Sequence, residues 1–184
     1  MSARRAVVAC GALALDVRRI ARRRGWELDV VPVPALLHNR PERIRAAVDE
    51  ACAGREVVAV AYGDCGTQSA LDDLPRLLAS TCYDLFARDE VRAALDEQPG
   101  TYFLTDFLAR TFEHTVWREL GLDRWPELRD DYFGHYTRVV WLAQRPTPAT
   151  ARCAQAAAAR LGLPLEVVPV GTGDLERALE ALVG

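Results

Sequence analysis

The run Glu56-Val57-Val58-Ala59-Val60-Ala61, followed by Tyr62-Gly63-Asp64-Cys65-Gly66, decides the fold class. Its first part is short, β-branched and almost wholly apolar, which predicts a strand. The lack of polar alternation predicts that both faces are buried, as in the interior of a parallel sheet. Its second part is a polar loop bracketed by glycines, which ends the strand and turns the chain. Outward from this point the same grammar repeats. Arg5 to Cys10 and Trp26 to Val33 predict strands, separated by a helix with an arginine face over Leu13 to Arg24 that Gly25 stops. Asn39 and Pro41 predict a helix start, running to about Ala53. A helix is expected over Gln68 to Ala79. Beyond the middle, Arg138 to Gln144 and Leu165 to Val170 read as strands, with helices at Pro148 to Leu161 and Asp174 to Val183.

Strand alternating with helix gives an α/β protein. The expected architecture is three-layered, an open and mostly parallel sheet of about five strands with helices on both faces. Residues 1–184 are expected to form a single α/β domain, since no repeat, linker or low-complexity tract divides them. The segment 81–137 is less regular. Thr81 to Phe86 is a possible short strand, Glu90 to Glu97 a short helix, Tyr102 to Glu119 helical, and Leu122 to Gly134 an irregular cap. This segment is expected to be an insertion or helical lid.

Composition narrows the function classes. The chain has 184 residues and a formal net charge of −3, so nucleic acid is not an expected partner. All 23 basic residues are arginine, which removes lysine Schiff-base chemistry and the phosphate-binding lysine of a P-loop. The apolar runs are far shorter than the ~20 residues of a membrane-spanning helix. The basic opening Met1-Ser2-Ala3-Arg4-Arg5 leads into too short an apolar run for a signal peptide. A cytoplasmic location is expected, so the five cysteines read first as free thiols or ligands rather than disulfides.

In parallel sheets, ligands bind beyond the carboxyl ends of the strands. Cys10 ends the first strand, His38 follows the second, Cys65 follows the third, and Cys82 opens the next segment. Thiolate and imidazole suit zinc, iron or an iron–sulfur cluster, and four such ligands complete a tetrahedron. Cys10, His38, Cys65 and Cys82 are therefore the candidate metal ligands. Helix N-termini after Cys10, His38 and Cys65 would favour thiolate. Gly63 and Gly66 would let the backbone approach a ligand. Asp64 and Asp84 would orient His38 or accept a proton, and Tyr62 and Tyr83 would shape the pocket. Cys65 with Asp64 forms the candidate catalytic pair. Plainer roles stand beside these: thiols often pack as small hydrophobes, as expected for Cys52 and Cys153, and His38 could simply bond its own turn. His114 and His135 are expected to be structural or exposed.

Thr105 and Asp106, in Pro99-Gly100-Thr101-Tyr102-Phe103-Leu104-Thr105-Asp106-Phe107, either cap the following helix or present a polar lip to a bound cofactor. Trp125, Tyr132 and their aromatic neighbours either line a lid or pack it down. Gly171-Thr172-Gly173-Asp174 is a turn with an N-cap, or an anion loop.

Together these segments resemble a bacterial and archaeal domain-of-unknown-function family, number 1638. The likeness is carried by Ala9-Cys10-Gly11-Ala12-Leu13, Leu37-His38-Asn39-Arg40-Pro41-Glu42, Tyr62-Gly63-Asp64-Cys65-Gly66, Cys82-Tyr83, Gly100 to Leu108, Leu122-Asp123-Arg124 with Pro126-Glu127-Leu128, and Tyr132-Phe133-Gly134. The chain looks like the branch with His-Cys-Tyr before the middle segment, with Thr81 in place of that histidine and Trp125 where a histidine is expected. The resemblance implies an association with corrinoid-dependent methyltransferases. The expected function is a metal- or thiolate-dependent protein acting in or assisting corrinoid-linked one-carbon (methyl) metabolism. Its partners would be a small-molecule ligand or a corrinoid methyltransferase system, and a homo-oligomer is compatible with the sequence. Two alternatives belong to other classes: a non-catalytic carrier docking through residues 122–136, and a metal-free enzyme with Cys65 as nucleophile.

Overall fold

The structure is a computed structural model describing residues 5–184; Met1–Arg4 of the basic opening lie outside the described residues. In chain order the elements are β1 (Arg5–Cys10), α1 (Gly11–Arg24), β2 (Asp29–Val33), α2 (Ile44–Cys52), β3 (Glu56–Ala61), α3 (Asp84–Glu97), β4 (Thr101–Thr105), α4 (Asp106–Phe112), α5 (Arg129–Phe133), β5 (Arg138–Ala143), α6 (Pro148–Leu161), β6 (Leu165–Pro169) and α7 (Gly173–Val183). The protein is α/β, and every strand pairing is parallel. Among the described residues there are six strands, and they form two three-stranded sheets rather than one sheet of about five. The chain divides into two compact units. The first holds the residues up to 85 together with 172–184, and the second holds 86–171.

In the first unit the strand order is β2-β1-β3. The central position of β1 explains its sequence: Ala6, Val7, Val8 and Ala9 are wholly buried, as a strand covered on both faces must be. Helix α1 lays Leu13, Val17 and Ile20 into this core. It ends where Gly25 takes a left-handed backbone, φ 68°, and returns its amide to Ala21 and Arg22. Arg23 and Arg24 pair with Glu176 and Glu180 of α7, tying the chain's last helix to this unit.

The expected helix over Gln68 to Ala79 is absent. Gln68 and Ser69 have positive φ, which a helix cannot contain, and the chain turns through Asp73. It then runs beside β3, where Val60 donates to the Pro75 carbonyl and accepts from the Leu77 amide. This segment covers the free edge of β3. Thr81 to Phe86 is likewise not a strand, because Thr81 and Asp84 cap the start of α3. Helix α3 is longer than the expected Glu90 to Glu97 and is broken at Ala87, whose backbone is extended.

In the second unit the order is β4-β5-β6, with Val139 to Ala143 of β5 buried at the centre. The helix expected over Tyr102 to Glu119 begins only at Asp106. Residues Thr101–Thr105 are a strand, and Thr105 caps α4 by accepting from the Leu108 amide at 3.1 Å. So the segment 81–137, expected as a lid, supplies an edge strand of a sheet. Its remainder, α4 to α5, contributes Phe112, Trp117, Leu122 and Phe133 to a core shared with Trp141 and Leu161. Thr147 and Pro148 start α6, and Gly162 ends it in the same left-handed manner as Gly25.

Candidate functional site: a buried thiol cleft

The first unit brings three of its cysteines together at the carboxyl end of its sheet. Cys10 is the last residue of β1 and the N-cap of α1, and its sulfur faces the amides of Ala12 and Leu13. Tyr62 continues β3, is wholly buried, and points its hydroxyl at the Cys10 sulfur. Next, the Asp64 and Cys65 amides bond the carbonyls of Ala79 and Ser80 at 2.8 and 2.9 Å, drawing the two loops together. That pairing delivers Cys82, whose backbone N–H donates to the Cys65 sulfur.

Local geometry is specific around Cys65. Its own φ is +47°, and Gly66 follows at +83°. Gly63 is tightly enclosed: a β-carbon there would lie 3.0 Å from the Thr81 carbonyl carbon and 3.3 Å from the Cys65 sulfur. Asp64 holds the far side of the loop. Its Oδ1 accepts from the Thr67 hydroxyl at 2.7 Å and from the Ser69 amide at 3.0 Å. The Ser69 amide and then the Thr67 hydroxyl hold the Asp64 carboxyl below its usual range. Asp84 is engaged at the helix cap, where its Oδ2 accepts from the Thr81 amide at 3.0 Å. Tyr83 is half-buried on the first turn.

The electrostatics follow from burial. Burial raises the Cys10 thiol, against the lowering effect of the Ala12 amide. Burial pushes Cys65 up to about 11, with Cys10 adding to the effect. Cys82 is raised by burial first, then by Cys65 and Cys10. Tyr62 is raised by burial and then by Cys10 and Cys65. At neutral pH the cleft therefore holds three neutral thiols and a phenol. The Tyr62 hydroxyl has no hydrogen-bond partner of normal geometry among the described residues, which is costly for a buried polar group. A cation would reverse this balance, since it favours thiolate over thiol.

Among the described residues no group of three or more His, Cys, Asp and Glu stands in an arrangement ready to hold a metal ion. Two features nonetheless fit one: soft sulfur donors from three separate chain segments, and an orphaned hydroxyl aimed among them. His38 is not part of the sulfur group. It is exposed on the 3₁₀ turn Ala35–Asn39, with Nδ1 2.7 Å from the Ala35 carbonyl. Its loop does adjoin the cysteine loop, because a β-carbon on Gly66 would lie 3.7 Å from Pro41.

Thr105 and Asp106 belong to the second unit and form a latch there. The Asp106 carboxylate accepts from Trp141 Nε1 and from the Arg145 amide, both at 2.9 Å. Its own amide donates to Gln144 Oε1 at 2.7 Å. Trp141 and Gln144, which the sequence places only within a strand, complete this latch. The available signal was the end of β5, where polar Gln144 follows five apolar residues. Cys52 and Cys153 lie half-buried on α2 and α6, and Cys153 packs against the core of the second unit.

Among the described residues no helix is long and apolar enough to cross a membrane. No curated protein and no solved structure matches the chain. Residues 16–179 match the family described as Protein of unknown function (DUF1638), and the chain belongs to that family.

Proposed function

We propose that the thiol cleft binds one thiophilic metal ion, zinc or iron, through Cys10, Cys65 and Cys82. The bound form would act in or assist corrinoid-linked one-carbon (methyl) metabolism. The observation that carries this reading is the convergence of three cysteines from β1, the β3 loop and the α3 cap on the unpartnered hydroxyl of Tyr62. The corrinoid connection is supported by the family resemblance alone. When bound, the ion supplies Lewis acidity and converts thiols to thiolates. The chain's own residues do the rest. Amides of Ala12, Leu13 and Cys82 would stabilise sulfur charge, and the Tyr62 hydroxyl beside the Cys10 sulfur would supply a donor to a bound group. Gly63 keeps the two loops in contact, and Asp64 fixes the turn behind Cys65. Three protein ligands leave a position for a small-molecule ligand such as a thiol, or for His38 from the adjoining loop.

A cluster could occupy the same donors, and an absorption spectrum separates iron–sulfur charge transfer from colourless zinc. The test is anaerobic purification with elemental analysis. About one metal per chain, lost in Cys65→Ser and Cys10→Ser but kept in Cys153→Ser, supports the reading. Metal-free protein that also fails to take up zinc or iron in the reduced state overturns it. The metal-free nucleophile is disfavoured, because burial leaves little Cys65 thiolate and Asp64 is committed to its loop.

One observation favours a second, non-catalytic reading. Trp125 is 48% exposed and Tyr132 is 43% exposed, which suits a carrier that docks on a corrinoid methyltransferase. Unchanged co-purification of such a partner with the Trp125→Ala, Tyr132→Ala double variant removes that support.

A further inference from the structure

The arginine face of α1 plays no part in the thiol cleft, and most of it is accounted for by ion pairs. Arg19 pairs with Asp16, and Arg23 and Arg24 pair with α7. Arg18 and Arg22 are the exceptions. They stand one helical turn apart on the same face, where like charges repel. Among the described residues the Arg18 guanidinium bonds only the Val30 carbonyl, at 3.2 Å, and the Arg22 guanidinium has no hydrogen bond or ion pair.

These two side chains form one wall of a cavity of about 400 Å³, with Trp26, Leu28, Asp29 and Val30 around the rest. That volume lies in the range of small-molecule sites, roughly 300–1,000 Å³. The cavity lies along β2, the edge strand of its sheet. It sits at the strand end opposite the cysteines, since Asp29 is in register with Ala6 while Val33 is in register with Cys10. The site is therefore separate from the thiol cleft.

We infer that this groove binds a nucleoside monophosphate. The chemistry of the lining makes the assignment. Two guanidiniums, one pinned to the strand and one unpaired, match a phosphate and relieve their own repulsion when it arrives. The Trp26 indole, with Arg24 6.0 Å from its ring centroid on one side, lines the cavity beside the apolar Leu28 and Val30, where a flat base would stack. A chain of net charge −3 thus concentrates local positive charge where an anion with an aromatic body fits.

The experiment is titration of the full chain with adenosine 5′-monophosphate, followed by calorimetry and by the ¹⁵N–¹H signal of the Trp26 indole, with inorganic phosphate as the second probe. The expected result is a binding isotherm accompanied by a shift of the Trp26 signal. Arg22→Ala, an exposed change that leaves the fold's packing alone, should weaken binding about tenfold, the equivalent of 1.4 kcal/mol. The Arg18→Ala, Arg22→Ala double variant should abolish it, while Cys65→Ser should leave it unchanged. Trp26→Phe should retain binding through its ring, and Trp26→Ala should lose it. No isotherm at millimolar nucleotide, or one unchanged in the double arginine variant, overturns the inference. Phosphate binding as tightly as the nucleotide overturns the aromatic half of it.

Discussion

A β-carbon on Gly63 would press on the Thr81 carbonyl carbon at 3.0 Å and on the Cys82 amide nitrogen at 3.3 Å, both backbone atoms, and on the Cys65 sulfur at 3.3 Å. In the Gly63→Ala variant the two loops must give by a few tenths of an ångström. We expect a loss of about 1–3 kcal/mol in urea unfolding, the usual cost of overpacking. Metal uptake should fall with it, while the cysteines themselves are untouched. Cys65 offers a second measurement at this scale. With the thiol pushed up to about 11, its thiolate fraction at neutral pH is roughly 300-fold below that of an ordinary cysteine. Alkylation of metal-free protein by iodoacetamide, with N-acetylcysteine as the standard, should show Cys65 slower by about that factor. A rate equal to the standard would mean that the cleft is open and that the burial argument fails. Cys65 and Cys82 were legible as candidates because a βα repeat returns the chain to one edge of a sheet. His38 is brought to the same end of the sheet but outside the sulfur group, because the repeat fixes the end of the sheet and not the direction of a side chain. The Ala35 carbonyl, one 3₁₀ turn back, captures its ring.

Elements were readable where one local signal dominated. The apolar run of β1 and β3, and the stop at Gly25, needed no tertiary information. The middle failed where two signals competed. Thr81-Cys82-Tyr83-Asp84 carries β-branched and aromatic residues that suggest a strand, yet its first and fourth residues form a capping box. Replacing Thr81 with alanine removes that exchange and should cost about 1 kcal/mol by denaturant melting. Because the Cys82 amide sits inside the capped turn, the same variant should also loosen the hydrogen bond to Cys65. In the second unit, the helix expected from Tyr102 overlaps four of the five residues of the strand Thr101–Thr105, because Tyr102 and Phe103 continue its apolar spacing. The strand is held instead by β5 and by the Asp106 latch, partners remote in sequence. Asp106→Ala would leave the Trp141 indole N–H buried without its acceptor. We expect a loss of about 3 kcal/mol, with Asp106→Asn recovering part of it. Equal stability of Asp106→Ala and the wild type would show that the latch is incidental.

For the whole molecule, the thiol cleft links stability to pH and to metal in opposite directions. Burial raises the folded-state pKa of Cys10, Cys65 and Cys82 above their unfolded values, so the folded protein favours the protonated thiols. That contribution is complete below about pH 8.5, where unfolded cysteines are protonated too, and is lost as pH rises through the folded value of Cys65, about 11. The urea midpoint of metal-free protein should therefore be level near neutrality and fall above about pH 9, with a shallower fall in Cys65→Ser. A bound ion inverts the dependence. It needs thiolates, so binding releases protons and weakens as pH drops. Because the ligands lie on β1, the β3 loop and the α3 cap, stabilisation by the ion should follow the sheet they belong to. Adding zinc at a hundred times its dissociation constant should raise stability by about 2.7 kcal/mol. In hydrogen exchange, the new protection should concentrate in Arg5–Cys10 and Glu56–Ala61, with little gain in Thr101–Thr105 or Arg138–Ala143. Protection rising first in the β4-β5-β6 sheet would place the ion elsewhere, even if elemental analysis found one metal per chain.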